Sequence, residues 1–164
     1  MRRYPPYDPP EYVGWSPDPA LAEAYRERVA ADPERHAVIE RLTVPELLDL
    51  YAGMVRNRLY DLTLKRWVRQ GVLSKAWLGT GEEAVTIGCV HALDRSRDVV
   101  APMIRNAGAC HEMGMPLEAM FRGALGTPDG PNGGRDLHYG DPARGVLQPI
   151  SHVGDMVGVI TGVA

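Results

Sequence analysis

The last third of the chain constrains its fold most strongly. A loop rich in glycine, arginine and histidine, residues 130–140, leads into an apolar segment at 145–150 and then into Ser151-His152-Val153-Gly154. The apolar segment predicts a short strand, and the small apolar residues up to Ala164 predict a helix start. A strand, a glycine-containing turn and a helix start let backbone amides and carbonyls approach a ligand closely. We therefore expect part of a cofactor site here, continuing beyond Ala164.

Composition excludes several classes of protein. The chain has 164 residues, is 45% hydrophobic and carries a formal net charge of -3, which is typical of one soluble globular domain. Lys and Arg do not outnumber Asp and Glu, so we expect no nucleic-acid partner. Cys89 and Cys110 form no disulfide framework, which favours a reducing cytoplasm. No apolar run approaches the ~20 residues that span a bilayer, and we expect no membrane insertion.

The N-terminal segment differs in composition from the rest. Six prolines in residues 1–19 favour an extended arm. Its tyrosines and tryptophan could pack on another subunit, or the arm could be a solvated tail. Residues 20–31 predict a short charged helix that ends near Asp32-Pro33. We therefore divide the chain into an arm with a short helix, 1–40, and a main domain, 41–164.

The clearest predicted helix covers residues 45–70. Thr43 and Glu46 have the spacing of a capping box, Pro45 suits the first turn, and Gly71 ends the helix. Apolar residues recur along it at helical spacing: Leu47, Leu48, Tyr51, Met54, Val55, Leu59 and Leu62. Its basic residues lie largely off this stripe, as on a solvated face.

A second helix is predicted from Gly81 to about Leu93. Glu82 and Glu83 suit the positive end of its dipole. Adjacent residues on a helix point in different directions, which argues against a catalytic carboxylate pair.

A second apolar segment, residues 98–103, predicts a buried strand that ends just before Arg105. Ligands bind at the carboxyl ends of strands in open α/β sheets, and an arginine there can pair with phosphate oxygens. A structural salt bridge is the alternative for Arg105. Pro116 begins another predicted helix, 117–125. The alternation of helices with apolar strands predicts an α/β fold, with a parallel sheet flanked by helices.

The histidines and glycines match no familiar motif. Neither a dinucleotide-binding G-x-G-x-x-G nor a Walker A sequence is present. Four histidines and one cysteine lack metal-ligand spacing, and we assign no metal ligand: His91, His111, His138, His152 and Cys110. His138 and His152 flank the 145–150 segment and could converge only if the intervening loop folds back.

Five segments together carry a family resemblance. In order, they are Arg69-Gln70-Gly71, Gly81-Glu82-Glu83, Ile104-Arg105-Asn106-Ala107-Gly108, Gly134-Arg135 with His138-Tyr139-Gly140, and Ile150-Ser151-His152. Their order and spacing resemble the α subunit of the E1 component of 2-oxoacid dehydrogenases, with the branched-chain type closest and pyruvate and acetoin dehydrogenases related. The resemblance covers about residues 42–164.

The resemblance implies a fold, a cofactor and an activity. Proteins of this family bind thiamine diphosphate in an α/β fold with a parallel sheet, decarboxylate a 2-oxoacid and pass the acyl group to a lipoyl-bearing E2 protein. The resemblance also implies a β subunit, as two copies of each subunit, that supplies the activating glutamate. We therefore assign no catalytic residue to this chain.

Individual positions follow from the same resemblance. Arg105 matches the arginine that holds the cofactor diphosphate, whereas Ile104 replaces the family's tyrosine and loses one polar contact. Ser151, His152 and Val153 match the segment whose backbone contacts the aminopyrimidine ring. Trp77 or a neighbour matches a loop along the cofactor channel, although core packing explains an aromatic residue there equally well. The Mg²⁺ ligands are expected downstream of Ala164.

Two other functions stay open at this level. One is a noncatalytic docking or assembly module derived from the family. The other is one half of a split thiamine diphosphate-dependent enzyme.

Overall fold

A computed structural model describes residues 18–135 and 137–164, and it divides the chain into two units, 1–48 and 49–164. Helices α1, Pro19–Ala30, and α2, Pro33–Arg41, lie in the first unit. Each begins with an aspartate cap and a proline in its first turn, and the Asp18 and Asp32 carboxylates accept hydrogen bonds from backbone N–H groups. The predicted helix at 20–31 is confirmed, and α2 is an addition. Almost all of the predicted proline-rich arm lies outside the described residues.

Helix α3, Val44–Arg69, confirms the longest predicted element. The capping box is formed: the Thr43 N–H donates to Glu46 Oε2 at 2.6 Å, and the Glu46 N–H donates to Thr43 Oγ1 at 3.4 Å. The chain leaves the helix through Gly71, whose φ of 73° is left-handed and favours glycine.

The buried face of α3 is not its apolar stripe. Most of the stripe is exposed: Leu47, Leu48, Tyr51, Val55 and Leu59. The buried residues are Gly53, Asn57, Tyr60, Asp61 and Leu64. A Cβ on Gly53 would lie 2.8 Å from Ile87, so close helix contact selects a small residue over a leucine there.

The remaining helices are short. They are α4, Glu83–His91; α5, Ala107–Glu112; α6, Leu117–Leu125; and α7, Asp155–Val163, with a 3-10 turn at Pro142–Arg144. The predicted helices near 81–93 and at 117–125 are confirmed. The core contains Tyr60, Cys110, Met120, Tyr139 and Val146, with aromatic contacts from Phe121 to Tyr60 and Trp67.

The predicted parallel sheet is not confirmed, because the described residues form no strand. The two apolar segments do pair in parallel, as isolated bridges between Val100 and Val146 and between Met103 and Ile150. The Val100 N–H donates to Gly145 O, and Val100 O accepts from Leu147.

Two prolines explain why this pairing does not grow into a ladder. In the same register, the next two hydrogen bonds would need N–H groups from Pro102 and Pro149, and neither residue has one. Pairing resumes one residue out of register, where the Ile104 N–H donates to Ile150 O at 3.1 Å. We call these two facing segments, 98–104 and 145–150, the proline seam.

Over the described ranges, no helix combines the length and apolar character that a membrane span requires.

Candidate functional site

The proline seam brings two predicted site segments together. Ile104 and Ile150 share a backbone hydrogen bond of 3.1 Å, so Arg105 and Ser151 leave the seam at the same end. Arg105 lies between the bridge at Met103 and the start of α5, which is the position that the sequence predicts. The carboxyl ends of parallel segments are where ligands bind in α/β folds.

The Arg105 guanidinium is accessible to an anion. Its side chain is 47% exposed, and its closest acidic neighbour is Glu82 Oε1 at 4.0 Å, on a side chain that is 48% exposed. An ion pair this long and this exposed contributes little to stability. The structural salt bridge therefore accounts only weakly for Arg105, whose planar donors stay open to phosphate oxygens.

The backbone around Arg105 is held tightly. A Cβ on Gly79 would lie 2.4 Å from the Arg105 carbonyl oxygen, so the two backbones touch where no side chain fits. The Asn106 amide donates to Glu82 Oε2 and to Thr86 Oγ1, both at 3.0 Å. Arg105 is thus fixed between the 79–81 loop and the first turn of α4.

Ser151, His152 and Val153 form an exposed turn before α7. Gly154, with φ of 87°, caps this nine-residue helix, and His152 Nδ1 lies 3.9 Å from Asp155 Oδ2. In the described part of the chain, no backbone carbonyl accepts a hydrogen bond from the N–H groups of residues 151–153. These donors, with the Arg105 guanidinium, suit an anionic or ring-nitrogen ligand.

A small cavity of about 40 Å³ is lined by Ile104 together with Tyr60, Trp77 and Tyr139. Lys75 Nζ lies 5.0 Å from the Trp77 ring centroid, and the His138 ring lies 6.0 Å from it. The volume holds a few water molecules, not a two-ring cofactor. Trp77 therefore lines a small void that Ile104 also borders.

The loop between the two histidines does fold back. Asp141 bridges Val146 in antiparallel orientation, and Gly140 approaches Gln148 so closely that a Cβ would lie 2.7 Å from its nitrogen. The two imidazoles nevertheless have different neighbours, since His138 lies by Trp77 and His152 lies by Asp155.

Glu83 is buried and paired, which the helix-dipole argument did not predict. Its Oε1 accepts from Arg58 Nε at 2.5 Å, and its Oε2 accepts from the Gly81 N–H at 2.9 Å. Burial alone would raise the pKa of Glu83, but the Arg58 hydrogen bond and charge and the backbone donors outweigh burial and lower that pKa. Glu83 therefore fastens the 79–81 loop to α3.

Asp61 is the second buried acid at this loop, and sequence reasoning missed it. It is 1% exposed, Thr80 Oγ1 donates to its Oδ2 at 3.1 Å, and within the described residues its buried Oδ1 accepts no hydrogen bond. Burial raises the pKa of Asp61 to about 7, against the lowering effect of the Thr80 hydrogen bond. Its spacing from Gly53, Asn57 and Leu64 marks the buried face of α3 and was the available signal.

A third buried acid, Glu112, lies away from this loop. Its Oε1 accepts from Arg95 at 2.7 Å, and the Nδ1 atoms of His91 and His111 lie 3.7 and 3.8 Å from its carboxylate. Among the residues that the structure describes, no group of three or more His, Cys, Asp or Glu side chains could hold a metal ion.

Comparisons with known proteins identify the family of this chain. The family model for the dehydrogenase E1 component matches residues 51–164, more than half of the chain. The chain is 29% identical over 126 residues to the 2-oxoisovalerate dehydrogenase subunit alpha of Bacillus subtilis (strain 168). The matched region is 75% of this chain and 38% of that protein. The resemblance read from the five segments is confirmed, and the chain belongs to the dehydrogenase E1 component family.

Proposed function

We propose that this chain is the N-terminal portion of the α subunit of a 2-oxoacid dehydrogenase E1. The assembled enzyme would decarboxylate a 2-oxoacid oxidatively and transfer the acyl group to a lipoyl-bearing E2 protein. The observation that carries the proposal is that Arg105 and Ser151 leave the proline seam at the same end, inside the region that the family model matches. The similarity to a 2-oxoisovalerate dehydrogenase subunit makes a branched 2-oxoacid the first substrate to test.

The donor set at this end fits thiamine diphosphate. Arg105 would hold the diphosphate, and the backbone of Ser151, His152 and Val153 would contact the aminopyrimidine ring, in the thiamine diphosphate-binding fold. The bound cofactor supplies the stabilisation of the carbanion, and these groups bind and orient it. Mg²⁺ would compensate the negative charge of the diphosphate.

The proposal includes partners and a location. A β subunit would complete the site in an assembly of two copies of each subunit, and we place that assembly in the cytoplasm. Helix α7 is consistent with a partner, since it carries exposed valines and no buried residue.

Arg105→Ala tests the cofactor assignment. We expect a loss of about 2 kcal/mol in thiamine diphosphate binding, as for a charge-assisted hydrogen bond, measured by calorimetry on the complete protein with its β subunit and Mg²⁺. Arg97→Ala is the matched control, because Arg97 is exposed on a turn away from this end of the seam. Equal dissociation constants for the two variants would show that Arg105 does not bind the cofactor.

A further inference from the structure

We propose that Asp61 is a positioning residue that sets the place of Arg105 through the 79–81 loop, and thereby the affinity of this end of the seam for a diphosphate group. The inference rests on the proposed function for its ligand, and on the contacts of the loop for its mechanism. Asp61 lies in α3, away from the ligand, and would act only through Thr80 and Gly79.

The first contact joins Asp61 to the loop. Thr80 Oγ1 donates to Asp61 Oδ2 at 3.1 Å, and the Gly79 N–H faces the same carboxyl and favours its ionised form. Because Asp61 lies on the buried face of a 26-residue helix, the carboxyl is a fixed point. The ionised form accepts the Thr80 hydrogen bond more strongly than the neutral acid does.

The second contact joins the loop to Arg105. A Cβ on Gly79 would lie 2.4 Å from the Arg105 carbonyl oxygen, so the loop backbone rests directly on that peptide. A displacement of Gly79 must therefore displace Arg105 or open a gap beside it. The two neighbours of Arg105 are held separately: the Asn106 side chain donates to Glu82, and the Ile104 N–H donates to Ile150 O. Asp61 thus supports the Arg105 backbone through the 79–81 loop.

Charged and titratable groups on α3, on α4 and at Tyr139 surround Asp61. Arg58, on α3, favours ionisation of Asp61, and Glu83, on α4, opposes it. The phenols of Tyr60 and Tyr139 also face it, and they hydrogen-bond each other at 2.6 Å. With its pKa raised to about 7 by burial, Asp61 changes charge near neutral pH. The support for Arg105 therefore strengthens as pH rises.

Arginine labelling tests the positioning without any cofactor. On the complete assembled protein, mass spectrometry would give the rates at which phenylglyoxal modifies Arg105 and Arg97. Arg97, on an exposed turn, is the internal reference, and we call the Arg105 rate divided by the Arg97 rate the labelling ratio. In the unmodified sequence, the ratio should fall as pH rises through about 7, because ionised Asp61 holds the loop. Asp61→Asn should give a high ratio at every pH.

Glu112→Gln is the matched control for this experiment. Glu112 is also a buried acid, but it pairs with Arg95 and not with the loop, so its variant should keep the pH step. The inference is overturned if the labelling ratio of Asp61→Asn still falls as pH rises through about 7. It is also overturned if the ratio does not fall in the unsubstituted protein.

A double-mutant cycle tests the consequence for binding, with inorganic pyrophosphate and thiamine diphosphate as probes at pH 8. Asp61→Asn should weaken binding about tenfold, and should weaken it no further in an Arg105→Ala background. Above pH 7 the same variant should raise the unfolding midpoint, because a buried amide costs less than a buried carboxylate. A residue with only a structural role would lose stability and affinity together.

The outcomes separate the two proposals. Additive losses for Asp61→Asn and Arg105→Ala overturn the positioning role and leave the proposed function intact. If Arg105→Ala changes neither dissociation constant, the cofactor assignment fails, and the labelling ratio still decides whether Asp61 positions Arg105.

Discussion

Gly79→Ala should disturb the candidate site through a single methyl group. The new Cβ would lie 2.4 Å from the Arg105 carbonyl oxygen, about 1 Å closer than the 3.4 Å at which ordinary contact begins. The Cβ is fixed rigidly by its own backbone and the carbonyl oxygen is a backbone atom, so no flexible side chain can move aside. Gly79 does not have positive φ, and alanine therefore adds no conformational strain there. The cost comes from crowding alone.

Crowding of this kind costs about 1–3 kcal/mol. Gly88→Ala is the matched control: Gly88 lies inside α4, and nothing lies within 4 Å of a Cβ built on it. Alanine in a helix interior stabilises by about 0.5–1 kcal/mol relative to glycine. We expect the urea midpoint to fall for Gly79→Ala and to stay level or rise for Gly88→Ala.

Pyrophosphate binding gives a second comparison between Gly79→Ala and Gly88→Ala. If the loop supports Arg105, Gly79→Ala should also weaken pyrophosphate binding, whereas Gly88→Ala should not. Identical urea midpoints for the two variants would refute the argument from close backbone contact, and the position inferred for Arg105 would need revision.

Two further results are expected from the buried groups. Arg58→Ala should cost about 3 kcal/mol of folding free energy in urea titrations, because it leaves the Glu83 carboxylate buried without the Arg58 guanidinium. The double variant Arg58→Ala/Glu83→Gln should recover part of that loss. No recovery in the double variant would argue that the two side chains do not stabilise the fold as a pair. Iodoacetamide should label Cys89, which is exposed, and not Cys110, whose pKa burial raises to about 12; rapid labelling of Cys110 in the folded protein would contradict its burial.

The local signals in the sequence predicted the helices well. Capping residues, prolines in first turns and terminal glycines act within a few residues, so α1, α3 and α6 follow from sequence alone. Helix α2 has the same signals, Asp32 followed by Pro33, but its lack of an apolar face hid it.

The packing between helices could not be predicted from these local signals. The exposed stripe of α3 is more hydrophobic than its buried face, and only the approach of Ile87 and Glu112 to Gly53 shows why the small residue faces inward. The sheet was not confirmed for a related reason. Apolar runs predict extended segments, but the loss of hydrogen bonds at Pro102 and Pro149 depends on which residues face each other.

In the candidate site, too, some residues were predicted from the sequence and others were found only in the structure. Family motifs predicted Arg105 and Ser151–Val153, since they are recognised by order and spacing along the chain. Asp61 carries no motif, and its contact with Thr80 spans 19 residues. The helical spacing of Asp61 from Gly53, Asn57 and Leu64 was the signal in the sequence, and the fold gives that spacing its meaning as a buried face.

The proline seam has a consequence for temperature. Its two segments share few backbone hydrogen bonds, and Val100 and Val146, buried at 7% and 0% exposure, pack there instead. Contacts of that kind weaken on cooling, because hydrophobic stabilisation falls at low temperature. The seam should therefore loosen in the cold before the helices do.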